Sequence, residues 1–157
     1  MTRVGLRAFL ASGKLGLVEV GVERAFVEAA FGSPEAFDAE SKSHHAAQIW
    51  RYVDVELHFE EENVWLIHID RFSGPDGAPV AGAGVHLDPW VIVGGLSLDV
   101  FVDALSQAAI PHTIVLQPEF DSTLVRLSSG VEIGFSGASG DDRQLEFISR
   151  SRRPGPA

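Results

Sequence analysis

The stretch QIWRYVDVELHFEEENVWLIHID, residues 48–70, decides the fold. Within VDVELHF, Val53, Val55, Leu57 and Phe59 alternate with Asp54, Glu56 and His58. That is the period of a strand with one face on a core and the other toward solvent. NVWLIHID repeats the alternation, with Trp65, Ile67 and Ile69 set against Leu66, His68 and Asp70, and EEEN is read as the hairpin loop. AQIWRYVD is a preceding strand. Where alternation holds through it, Trp50 and Tyr52 share the outer face with Asp54, Glu56, His58, His68 and Asp70. A β-bulge near Val53–Asp54 would reverse the parity and bury Trp50.

Upstream, RAFLASG is a short helix closed by Gly13, and KLGLVEVGV a short strand or extended entry. GVERAFVEAAFGSP is a helix with Val22, Phe26, Ala29 and Ala30 on one stripe, ended by Gly32 and Pro34. EAFDAESKSHHAA is a polar loop, and its His44 and His45 are read as solvated rather than as metal ligands. Residues 73–95 form a Gly- and Pro-rich connector, in which Trp90 is expected to plug a seam between flanking units.

The pattern then restarts. LSLDVFVDALSQAAI is a helix with Ser97 as N-cap and Val100, Phe101, Ala104, Leu105 and Ala108 facing inward. HTIVLQ, STLVRLS, GVEIGFSG and RQLEFISR follow as strands. Val55, Glu56, Leu57 and Phe59 align with Val131, Glu132, Ile133 and Phe135, while His58 falls opposite Gly134. The expectation is an α+β fold of two tandem units, each a helix plus antiparallel strands, with the helices packed on one side of the sheet. The first unit spans 1–72, the second 96–150, and 151–157 is a disordered tail.

A net charge of −10 disfavours nucleic acid, whose phosphates need Lys and Arg, and suits a basic protein partner. The absence of cysteine excludes disulfides, thiol nucleophiles and cysteine-ligated metals. No apolar run approaches the roughly 20 residues of a membrane span, and no secretory segment is visible, so the chain is read as cytoplasmic. HExxH, P-loop and Rossmann fingerprints are absent. GFSGASG has Ala138 where a nucleophile elbow needs its second glycine. No catalytic residue and no cofactor are expected.

Phe31-Gly32-Ser33-Pro34 and Trp50-Arg51-Tyr52, together with the hairpin, resemble the repeat unit of the β-lactamase inhibitor protein family. They are also similar to the small outer-membrane lipoproteins of the barrel-assembly machinery. In both, a helical element is followed by LG-x-P and a W-x-Y strand. The likeness covers residues 17–70 and, more thinly, 96–150, where QAAIPH and LVRL replace the two signatures. It implies a tandem α/β fold whose sheet binds another protein. The acidic hairpin also resembles cytoplasmic immunity proteins of actinobacteria. The expected function is a non-enzymatic protein-binding module of immunity or inhibitor type, using Trp50, Tyr52, Asp54, Glu56, His58, His68 and Asp70. The second reading is a small-molecule or metal-binding domain using Glu56, His58, His68 and Asp70.

Overall fold

The computed structural model describes residues 2–38, 43–82, 84–140 and 142–152. The fold is α+β. Its strands are β1 (Thr2–Gly5), β2 (Ala36–Phe37), β3 (Ile49–Tyr52), β4 (Val55–Glu60), β5 (Asn63–Ile69), β6 (Val85–Asp88), β7 (His112–Gln117), β8 (Ser122–Leu127), β9 (Val131–Ser136) and β10 (Leu145–Ser151). Its α-helices are α1 (Leu6–Ser12), α2 (Arg24–Phe31) and α3 (Leu98–Gln107).

Eight strands form one antiparallel sheet in the order β2-β3-β4-β5-β10-β9-β8-β7, and β1 and β6 form a separate parallel pair. A helix followed by four strands therefore occurs at 24–69 and again at 98–151. The last strand of each set, β5 and β10, pair at the middle of the sheet, with Ile148 opposite Ile69 and Ser149 opposite His68. The sheet is thus continuous from one set to the other.

One core gathers Leu6, Phe9 and Leu10 of α1, Val27 and Phe31 of α2, and Phe101 and Leu105 of α3 against the inward residues of the sheet. The α2 stripe is rotated from the sequence expectation, while in α3 Phe101 and Leu105 face inward as expected. Phe26 and Val100 are exposed, whereas Arg24 and Leu98 are buried. KLGLVEVGV makes only a Leu15–Val18 bridge rather than a strand. β10 runs to Ser151, so the second set of strands extends past 150, and residues 153–157 lie outside the described residues. The expected polar loop holds the short strand β2, and its residues 39–42 also lie outside the described set. Trp90 packs against the core from the connector, with the Arg7 guanidinium 6.0 Å from its ring centre.

The decisive correction falls at Val53–Asp54. These residues are the two-residue turn of a hairpin, with Tyr52 paired to Val55 and Trp50 to Leu57. Trp50 and Tyr52 therefore share the inward face of β4 and are buried, with 0% and 2% exposure. Val53 takes a left-handed φ of 54°, costly for a β-branched residue. Asp54 holds the turn. Its carboxylate is buried and accepts from Ser73 N at 2.9 Å, Ser73 Oγ at 2.8 Å and Val80 N at 3.0 Å. It binds the connector to the sheet.

The two motifs that carry the family resemblance meet in space. The Tyr52 hydroxyl donates to Gly32 O at 2.8 Å, and its ring meets Phe31 edge-on at 5.7 Å. Burial raises the phenol above its ordinary value of about 10, and the Glu28 charge adds to the rise. Below pH 10 the phenol is neutral in folded and unfolded chains alike, and its packing contributes in full. Above pH 10 the unfolded chain ionises while the folded chain does not, so stability falls by about 1.4 kcal/mol per pH unit until Tyr52 ionises in the fold. Tyr52 is the single tyrosine, so tyrosinate absorbance reports it alone. The native midpoint is expected above that of the urea-unfolded chain, and coincident midpoints would remove this account.

Candidate functional site: the bare face of the sheet

The face of the sheet turned away from the core carries a row of residues paired strand to strand. In order these are Ala36, Arg51, Glu56, His68, Ser149, Glu132, Arg126 and Thr113. Arg51 Nη2 lies 2.8 Å from Glu56 Oε1, and Arg126 Nε 2.8 Å from Glu132 Oε2. The sequence comparison matched Glu56 with Glu132, and each faces an arginine of the neighbouring strand. His68 and Ser149 sit between the two ion pairs.

Of the residues assigned to this surface from sequence, Glu56, His58, His68 and Asp70 are on it, all partly exposed. Trp50, Tyr52 and Asp54 are not, because the Val53–Asp54 turn sends the first two into the core and the third beneath the connector. His58 Nε2 lies 3.2 Å from Glu56 Oε2, and His68 Nε2 3.4 Å from Asp70 Oδ2. These are two separate twosomes. Among the described residues, the hairpin does not bring three metal-ligand atoms within 4.8 Å of one another.

The aromatic component of the face comes from Trp65, which the alternation set with Ile67 and Ile69, and from Phe147 of β10. A bulge opposite His58–Phe59 shifts the register, so that His58 pairs with Leu66 and Phe59 with Val64. It turns Trp65 out to meet the His58 ring edge-on at 5.9 Å. Phe147 stacks on His68 at 5.6 Å and 26°. It lies over Gly134, where an added Cβ would come within 2.1 Å of the Phe147 ring. Gly134 is thus the counterpart of His58 that makes room for an aromatic from the next strand. A glycine inside a strand is the sequence signal for such a close approach. Ile49, Trp65, Leu66, Leu124 and Phe147 are all half-buried and lie outside the core cluster. The carboxylates Glu56, Glu60, Asp70 and Glu132 lie beside Arg51, Arg152, Arg71 and Arg126 respectively.

Among the described residues, no helix is long and apolar enough to cross a membrane. No family model matches the chain, and no curated protein matches it. Among solved structures, the chain is similar to a DUF4309 family protein, YjgB, from Bacillus subtilis subsp. subtilis strain 168. The two share 14% identity over 94% of this chain and 93% of that one, with a TM-score of 0.50, a likeness of fold alone.

Proposed function

We propose that the chain is a non-enzymatic protein-binding module of immunity or inhibitor type, acting in the cytoplasm, that receives a basic partner protein on the bare face of its sheet. The observation that carries this reading is the composition of that face. Half-buried Trp65, Leu66 and Phe147 lie outside the core, among ion pairs that run across the sheet. Non-obligate protein interfaces share that make-up of aromatic and arginine-rich area with a polar rim. The repeated order of one helix and four strands supports the tandem-unit reading, and the resemblance to the β-lactamase inhibitor protein repeat implies this use of a sheet.

The choice of a basic partner rests on charge. A net charge of −10 draws a cationic surface from a distance and speeds its encounter with the chain. Such association is fast and weakens as salt screens it.

Affinity capture from the native host, at low and then high salt, with wild type and Trp65→Ala tests the reading. A basic protein is expected to be held by the wild type and released by salt. Once purified, that partner should bind the folded Trp65→Ala variant about 2 kcal/mol more weakly, as loss of an aromatic hot spot does. Retention of no partner at any salt, or unchanged affinity in the variant, would sink the proposal.

A further inference from the structure

We propose that Glu28, His44 and His45 form a binding site for a late first-row divalent cation, Zn²⁺ foremost. The three residues lie on the helix side of the sheet, away from the face described above, and the inference goes beyond that face's function. Glu28 projects from α2. His44 and His45 come from the loop before β3, which the sequence alone marks as solvated. Instead the His44 ring is half-buried, with its centre 5.4 Å from that of Trp50.

Both histidines converge on one carboxylate oxygen. Glu28 Oε2 is 2.8 Å from His44 Nε2 and 3.7 Å from His45 Nδ1. The three ligand atoms all lie within 4.8 Å of one another. Zinc bonds to nitrogen and oxygen of about 2.0–2.1 Å place tetrahedral ligands about 3.3–3.4 Å apart. These two separations bracket that value and the third lies within 4.8 Å, so side-chain shifts of about an ångström complete the triangle.

The loop is held in place for the purpose. His44 O accepts from Trp50 Nε1 and, at 3.4 Å, from Arg24 Nη1, and Ala47 O accepts from Arg24 as well. Neighbouring histidines on a free loop diverge, whereas here the ring centres are 3.9 Å apart.

The site also opens onto space. A cleft of about 500 Å³ is lined by Arg24, Ala25, Glu28, Ala29, His45 and Glu62. Ala25 and Ala29, one turn apart on α2, leave the side next to Glu28 clear for water to complete the coordination shell. Three protein ligands with an open position is a zinc arrangement that imidazole and carboxylate favour. Among the described residues lining the cleft, the arginine, Arg24, is already engaged. Its Nε meets Glu62 Oε2 at 3.3 Å, and its guanidinium carbon lies 4.2 Å from the Phe59 ring centre.

The test is isothermal titration of the untagged, chelator-treated full chain with Zn²⁺ and with Ni²⁺. One equivalent is expected to bind saturably and to raise Tm by about 5 °C or more at high excess. His45→Ala and Glu28→Gln are each expected to weaken binding at least about tenfold, since even outer-shell partners of a metal are worth that much. His58→Ala, on the other face, should leave it unchanged. Co²⁺ bound to the wild type should show the intense visible bands of a four-coordinate site, a readout that needs no variant to fold. Absence of saturable binding by both metals overturns the proposal. So does wild-type affinity in both folded variants, or an equal loss in His58→Ala.

Discussion

The Trp50→Ala variant is expected to lose about 3–5 kcal/mol of stability, the range for truncating a large buried aromatic to alanine. Trp50 is fully buried and is among the largest such side chains in the core. Its ring meets Phe59 edge-on at 4.8 Å and lies 5.3 Å from the Arg24 guanidinium carbon, while its Nε1 donates to His44 O. Alanine at this position removes the packing, leaves a cavity between β3 and the rings around it, and takes a donor from the His44 carbonyl. Urea unfolding measures it: the midpoint falls with the slope unchanged. On the reading that put Trp50 on the outer face, the same substitution leaves the fold intact and weakens partner binding. A loss under 1 kcal/mol would contradict the buried placement.

What the sequence could and could not reveal divides along physical lines. The alternation in β4 is legible because Leu57 and Phe59 point into the core and Glu56 and His58 do not. The turn before it is not legible, since two-residue hairpin loops are usually recognised by Asn-Gly or Asp-Gly, and here the residues are Val53-Asp54. A left-handed valine is held there by Asp54 hydrogen bonds to Ser73 and Val80, partners well removed in sequence that no local pattern shows. Trp65 fails for a related reason: a one-residue bulge flips parity, and alternation carries no mark of where the flip occurs. Of the candidate surface, the polar half is therefore readable from period two, and the aromatic half is not. The Glu28–His44–His45 cluster needs a helix and a loop brought together in space, and spacing along the chain gives no sign of it.

Arg24 is the clearest case of a core position written in a charged residue, and its replacement by methionine is expected to destabilise the fold by about 3 kcal/mol. Methionine keeps much of the length and all of the apolar contact, so the loss isolates the guanidinium. The Arg24 guanidinium, in a side chain only 6% exposed, donates to Ala47 O, to Glu61 O at 3.0 Å and to His44 O at 3.4 Å. It lies over the rings of Phe59 and Trp50. Ala47 O and Glu61 O, left without this donor, each cost about 1–3 kcal/mol where water cannot replace it, while His44 O keeps Trp50 Nε1, and the ring contacts add about 0.5–2 kcal/mol. Glu62 is 70% exposed, so its ion pair contributes little and its release to solvent offsets nothing large. Lysine is a poor substitute, since a point charge on a flexible stem cannot reach acceptors on α2's neighbours and stack on two rings at once. Because the Arg24 guanidinium lies over the Trp50 ring, the Trp50→Ala and Arg24→Met losses share that contact and are not independent. The double variant is expected to lose less than the sum of the two, by about 1 kcal/mol, in a urea double-mutant cycle. Strict additivity would mean that the stacked guanidinium and the indole hold α2, the 44–47 loop and the hairpin tip separately, and would remove the case for a single bolt joining the three.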